Sequence, residues 1–570
     1  MEQFLPTSRK ELDALGYDNV DVILFSGDAY VDHPSFGSAV IGRVLEREGY
    51  RVAIVPQPNW RDDLRDFTKL GKPRLFFGVS SGNMDSMVNK YTAARRLRSN
   101  DAYTPEGAPN MRPDYAVTVY TRILKQLYPD VPVVLGGIEA SLRRLTHYDY
   151  WSDSLKPSVL VDSGADYLIY GMGERPIVAL AAALRARTVT PATCTIPQVA
   201  VCYPKEVPLP AEAVELPSYV QCQGSKEQFA RHFHAIELAA NAQSPKTLTE
   251  DAGTCRVVVN PPYPTMNTDE LDAVYDLPFT YKAHFRYKNK RIPALEMIQF
   301  SVCLHRGCFG GCSFCTIAAH QGRAIAWRSQ RSVLQEVERL SRLDNFKGYL
   351  TDLGGPSANM YGMRGKRPQV CALCHRTSCL FPVKCKNLDA SHAALTALYR
   401  KVRELPYIKK ATIGSGIRYD LFLNEKGFLD AEGETYFTEL LRYHVSGRLK
   451  VAPEHTEDAV LQCMHKPPFA LYHTLWRVFS AQNDRERLKL QLIPYFISSH
   501  PACTLQDMQR LAQKFRQQRL HVEQVQDFTP TPMTKSSVMF WTGLNPDTLE
   551  RVFVERDPRK KSRQKDCFFA

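Results

Sequence analysis

Short apolar runs alternate with helix-period stretches in two separate parts of the chain. In the first part, Val20 to Phe25, Arg51 to Val55, Arg74 to Val79, Val131 to Leu135 and Ala165 to Tyr170 read as buried strands. Ser38 to Glu48, Asp62 to Leu70, Tyr115 to Leu127 and Ile177 to Arg187 read as the helices that separate and follow them. Strands separated by helices predict a parallel, doubly wound sheet, and glycines at strand ends, such as Gly136, Gly137, Gly171 and Gly173, fall where such sheets bind ligands.

Residues 188–290 lack a clean period and are rich in proline, so they read as a connector with one helical piece, Ser225 to Asn241. A second alternation then begins. Met297 to Val302, Gly348 to Leu353, Lys410 to Ile413, Arg448 to Val451, Lys489 to Phe496 and His521 to Gln526 read as strands one to six. Ser332 to Leu343, Ser391 to Leu405, Glu434 to His444, Leu471 to Gln482 and Leu505 to Gln518 are the helices between them. This pattern predicts a partial barrel, with ligands at the carboxyl ends of its strands. The fold class expected is therefore α/β: a Rossmann-like doubly wound domain over 1–187, the connector, a partial (β/α)6 barrel over 291–527 with a cysteine-rich insertion at 356–387, and a basic tail over 528–570.

Composition changes the picture in three ways. At 570 residues the chain needs more than one domain. No apolar run reaches the length of a membrane span and the N-terminus carries no signal-peptide stretch, so a cytoplasmic protein without membrane insertion is expected. The net charge of +13 permits an anionic partner such as nucleic acid without requiring one, and the basic run Arg559 to Arg563 reads as a solvated tail. An odd cysteine count, 15, argues against a disulfide framework, and the cysteines cluster at 303–315 and 371–385, as metal sites do.

The first cluster, Cys308-x-x-x-Cys312-x-x-Cys315, offers three thiolates on a glycine-rich loop directly after strand one. Three thiolates can hold three irons of a cubane cluster and leave the fourth iron open to an external amine and carboxylate. At that open position a reduced cluster can pass one electron to the sulfonium of S-adenosylmethionine (SAM) and break a carbon–sulfur bond, giving a radical that takes hydrogen from a substrate carbon. Phe314 can shield one face of the cluster. Zinc with Cys303 or His305 as fourth ligand, or buried structural cysteines, are the competing readings.

The triplet and its aromatic resemble the radical SAM pattern, and the chain is similar over nearly its full length to the YgiQ-type radical SAM proteins. The resemblance is carried by GDAYVDHPSFGSAVIGRVLE from Gly27, SGNMDSMVNKYTAARRLRSNDAYTP from Ser81, GGIEASLRRLTHYDYWSD from Gly136, RGCFGGCSFCTIAAHQGR from Arg306 and APEHT from Ala452. It implies a SAM-dependent 4Fe-4S enzyme on Cys308, Cys312 and Cys315, of unestablished substrate, with a flavodoxin- or ferredoxin-type electron donor as partner. FTPTPMT from Phe528 resembles the start of that family's C-terminal extension, the longer part of which is expected to be missing or reduced here.

By position, Gly354-Gly355 stands where the superfamily has a Gly-Gly-Glu motif for the methionine amine, but Pro356 replaces the carboxylate. Ser415 and Arg418 after strand three, and Glu454 after strand four, are candidates for ribose and carboxylate contacts. Cys371, Cys374, Cys379 and Cys385 can complete a second site, for zinc or an auxiliary 4Fe-4S cluster. Asp32-His33 with Gly37 departs from the Asp-x-His-x-x-Gly motif of histidine-ligated cobalamin domains, so cobalamin stays an open reading. Glu139, Arg143 and Arg144 could take an acidic substrate group or form surface ion pairs, and His147 to Trp151 could line a pocket or pack an interface. Two alternatives to the enzyme with unknown substrate are a cobalamin-dependent radical SAM methylase and a zinc-organised RNA-binding protein.

Overall fold

The computed structural model describes residues 3–241, 245–517 and 524–568. Its first half is built on one nine-stranded sheet. Five parallel strands form its heart: β1 (Val22–Ser26), β2 (Val52–Pro56), β3 (Phe76–Ser80), β4 (Val133–Leu135) and β5 (Tyr167–Ile169). They lie in the order 2-1-3-4-5. Side chains alternate between two apolar layers: Val22 and Leu24 of β1 join one core, Ile23 and Phe25 the other. Both faces are therefore covered, here by α1 (Gly37–Arg47), α2 (Ala116–Leu127), α3 (Gly137–Leu142) and α4 (Glu174–Arg185), and this is why the strands read as unbroken apolar runs.

The stretch expected to be a connector instead extends this sheet. β6 (Val199–Tyr203) runs antiparallel to β5, and β7 (Val214–Glu215), β8 (Leu248–Asp251) and β9 (Arg256–Val259) complete the edge in the order β7-β8-β9-β6. The helical piece expected there is present as α5 (Lys226–Asn241). The prolines lie between these strands rather than preventing them. The helix expected over Asp62 to Leu70 is reduced to Arg65–Thr68, preceded by Leu64 at φ 58°.

The second half carries β10 (Ser301–Cys303), β11 (Tyr349–Leu350), β12 (Asp352–Gly354), β13 (Lys410–Ala411), β14 (Arg448–Glu454), β15 (Gln491–Ser498) and β16 (Gln524–Asp527). Neighbours pair in parallel as β10 with β12, β11 with β13, and β14 with β15 with β16. Between β13 and β14 the wall is continued by the Ile413 amide, which donates to the His444 carbonyl at 2.9 Å. Strand one is shorter than expected. Pro293 opens a helix, α6 (Pro293–Ile298), that takes up the start of the apolar run from Met297. The ends expected at Gln518 and His521 lie outside the described residues.

The C-terminal segment is not a solvated tail. α7 (Lys535–Thr542) is almost wholly buried. The basic run lies on α8 (Pro558–Asp566), capped by Asp557, with Lys561 and Gln564 buried. Gln564 accepts from the Ser499 amide and donates to the Cys503 carbonyl. Among the described residues no helix is long and apolar enough to cross a membrane.

Candidate iron–sulfur and nucleotide site

The cysteine triplet sits on a loop that leaves β10 and is closed at its neck by a two-residue ribbon, His305–Arg306 against Ala326–Trp327. The Cys308 amide donates to the Gly322 carbonyl at 3.1 Å. Gly307 has φ 87°, and a Cβ there would lie 2.1 Å from the Ala324 carbonyl oxygen, so only glycine permits this closure.

Four parts of the molecule hold the loop. From the first half, Glu174 of α4 pairs with the buried Arg306 at 2.5 Å, and Ser141 of α3 meets His320 at 3.0 Å. From the cysteine-rich insertion, Ser378 donates to the Gly310 carbonyl at 2.7 Å and the Cys379 amide to that of Phe309 at 3.1 Å. His465, beyond β14, meets the Gly311 carbonyl at 3.1 Å. From the C-terminal segment, the Ser536 amide donates to the Ser313 carbonyl at 2.9 Å.

The three thiols gather. Burial pushes Cys315 up to about 12, and the neighbouring Cys312 and Cys308 add to the rise. Burial also raises Cys308, while the Arg418 guanidinium opposes the rise. Arg418 donates to the Cys312 sulfur at 3.3 Å and is held by Asp420 at 2.5 Å. These interactions favour thiolates in a site that would otherwise disfavour charge. Among the described residues no three His, Cys, Asp or Glu side chains converge on a single metal-ion position. The Cys303 thiol donates to the His305 carbonyl at 3.2 Å, and the His305 ring turns toward Gly355.

The proposed nucleotide-side residues come together at the same rim. Gly354 ends β12 and abuts Ser415, whose hydroxyl donates to Asp352. A Cβ on Gly355 would fall 2.5 Å from the His305 ring. That ring is fully buried, and neither nitrogen has a hydrogen-bond partner. Its pKa is lowered to about 4 by burial, so the imidazole is neutral. Glu454 ends β14 at φ 71°, where the strand register shifts. Burial raises its pKa, against the pull of Lys466 and Arg418. Asp352, Asp420 and Lys466 were not singled out as site residues by sequence, and His305 only as an alternative zinc ligand. Asp420 alone had a local signal, two positions after Arg418.

Other sequence candidates take structural places. Glu139 is buried and accepts from the Ser86 and Val117 amides at 2.7 and 3.1 Å. Arg143 is buried against Asp85, and Arg144 lies 4.9 Å over the Tyr170 ring, so none of the three forms a surface ion pair. The His147 to Trp151 segment packs an interface, with Tyr148 stacked on Trp541 at 4.9 Å and Lys561 donating to the Tyr150 hydroxyl at 3.3 Å, and its His147 and Tyr148 also line a small pocket with Phe229, His232 and Ser537. His33 is fully buried, accepts from the Ser35 amide at 3.0 Å and meets Tyr281 edge-on, so it does not present a ligand.

The switch point between β1 and β3, where sheets of this order bind cofactors, is filled by protein. A Cβ on Gly27 would lie 2.2 Å from the Ser81 carbonyl oxygen. Beside it the buried Arg112 joins Asp28, Asp101 and the Ser81 carbonyl at 2.9, 3.0 and 2.7 Å.

The family model described as radical SAM N-terminal matches residues 4–301, and a domain of unknown function matches 523–568. A UPF0313 protein of Bacteroides thetaiotaomicron is 55% identical, covering 100% of this chain and 94% of its own. One from Porphyromonas gingivalis is 54% identical, over 100% and 90%. UPF0313 protein YgiQ of Escherichia coli is 42% identical, over 98% and 82%. Two structures of the radical SAM methyltransferase TsrM from Kitasatospora setae, one with cobalamin and a [4Fe-4S] cluster, are 15% and 14% identical, with TM-scores of 0.47 and 0.49. They cover 89% and 91% of this chain and 72% and 74% of their own. On sequence identity spanning its whole length, the chain belongs to the YgiQ-type family of radical SAM proteins.

Proposed function

We propose that the protein is a radical SAM enzyme in which Cys308, Cys312 and Cys315 hold a 4Fe-4S cluster and the rim beside them holds SAM. On this reading the first sheet is a Rossmann-like domain and the second half a partial (β/α)6 barrel. The observation that carries the proposal is the gathering of three thiols beside Arg418, next to a glycine pair facing a buried, unpartnered imidazole. Three protein ligands suit a cubane with one iron left for an external chelator.

When bound, the cluster and SAM would supply one-electron cleavage of the sulfonium carbon–sulfur bond and removal of hydrogen from a substrate carbon. The chain's own residues hold and shield this chemistry. Arg418 stabilises the thiolates. Gly354 and Gly355 leave room for the methionine end, and the neutral His305 ring offers it a donor and an acceptor. Ser415, fixed by Asp352, and Glu454, beside Lys466, face the remainder of the nucleotide. Phe314 packs into an apolar group with Tyr148 and Phe528 and meets His500 edge-on at 6.1 Å, which keeps water from that side. An electron donor of the flavodoxin or ferredoxin type is the partner this chemistry needs, in the cytoplasm. The cobalamin-dependent alternative is not favoured by a buried His33 and a filled switch point.

The test is anaerobic reconstitution followed by reduction and measurement of 5′-deoxyadenosine. Wild type is expected to form it and Cys312→Ala to fall to background. Equal product from both would overturn the proposal.

A further inference from the structure

The cysteine-rich insertion carries a second thiol group that the reaction above does not use. Cys371 stands on a short helix, Pro368–Ala372, and the Cys374 amide donates to its carbonyl at 3.0 Å. The Cys385 amide donates to the Cys379 carbonyl at 2.8 Å, which folds the other two cysteines together. The two pairs are tied together through Asn387, two positions after Cys385, whose carbonyl accepts from the Lys366 amide at 2.7 Å and whose side chain reaches the first pair.

The surroundings are shaped for sulfur. The buried Asn387 donates to the Cys371 sulfur at 3.2 Å. A Cβ on Gly365 would lie 2.2 Å from that sulfur. Met360, Met363 and Leu380 of the insertion are buried, but the stretch that carries the thiols leaves Val370, Leu373 and Val383 at 43, 81 and 68% exposure. The segment that carries the thiols is also basic, with Arg364, Lys366, Arg367, Arg376, Lys384 and Lys386 in its sequence.

We propose that Cys371, Cys374, Cys379 and Cys385 hold a second, fully ligated iron–sulfur cluster packed against the loop of the first. Zinc would need all four sulfurs about 2.3 Å from one ion. Iron is the choice because the group lies directly against the loop of the proposed first cluster and four cysteines are the usual ligand set of such a centre; zinc is an outcome of the test below. The two centres share a wall. Cys308, Phe309, Leu380 and Leu388 lie in one apolar cluster with Cys379 and Cys385 against it.

The experiment is iron, sulfide and zinc analysis after anaerobic reconstitution of the full chain. Wild type is expected to hold about eight irons and about eight sulfides. The variant Cys371→Ser/Cys374→Ser is expected to keep about four. The variant Cys308→Ala/Cys312→Ala/Cys315→Ala is expected to keep about four as well, and it supplies the answer if the first variant fails to fold. About four irons in wild type that persist in Cys371→Ser/Cys374→Ser, with or without one zinc, or a triplet variant without iron, would overturn the second cluster. Loss of SAM cleavage has no bearing on this count, so failure of the enzymatic reading is seen separately.

Discussion

The two cysteine loops solve the same problem with different support. The triplet loop is clamped by the first half, the insertion, His465 and the C-terminal segment, and its thiols are buried or half-buried. The tetrad loop rests chiefly on the triplet loop and on the turn Tyr419–Leu421, where Lys384 donates to the Leu421 carbonyl at 3.1 Å. It exposes apolar side chains to solvent, Leu373 most of all. The difference suggests that the first site is built by the fold and then receives its metal, whereas the second is completed by its metal. A site meant to receive a nucleotide at one corner needs rigid surroundings, since a loose loop would let the corner close or drift.

The largest expected effect separates the two loops by function. Cys315→Ala should reduce 5′-deoxyadenosine formation to background, while Cys374→Ser should leave a measurable fraction; background from both would make the loops one catalytic unit. Next is the charge that only the triplet has. Arg418→Met leaves the half-buried Asp420 without its partner and should lower unfolding free energy by about 3–5 kcal/mol, read by urea titration. A loss below about 1 kcal/mol would mean that Arg418 is not structurally coupled to the site. A smaller effect tests the seam between the loops. Ser378 is buried, accepts from the Leu380 and Phe381 amides and donates to Gly310. Ser378→Ala should cost about 1–3 kcal/mol and speed proteolytic nicking of 366–386 in the metal-free protein. The smallest is a contrast in amide exchange: without metal, 366–386 should exchange faster than 306–325, and with metal the two should approach each other.

What the sequence made legible follows from how local each signal is. The five parallel strands and their helices could be read because both faces are buried and the apolar runs are continuous. The triplet and the tetrad could be read because thiolate spacing is a local chemical requirement. The extension of the first sheet was missed because proline-rich links masked Val199–Tyr203, which pairs with strands distant in sequence, and the hairpin of Leu248–Asp251 with Arg256–Val259. The helix Pro558–Asp566 was missed because its sequence is almost wholly charged, and only tertiary packing buries Lys561 and Gln564. Asp352 was missed, and His305 was named only as a zinc ligand, for a related reason. Each acquires its meaning from a partner distant in sequence: Ser415, 63 positions away, for the first, and Gly355 for the second. Glu454 was legible by position after a strand but not in its left-handed backbone, which turns it at the register shift.

The most direct test of the central claim is the electron paramagnetic resonance spectrum of the reduced, reconstituted Cys371→Ser/Cys374→Ser variant, recorded with and without SAM. With three protein ligands on the cluster at Cys308, Cys312 and Cys315, addition of SAM should shift the signal, because the nucleotide becomes the fourth ligand. A spectrum unchanged by saturating SAM would contradict the account.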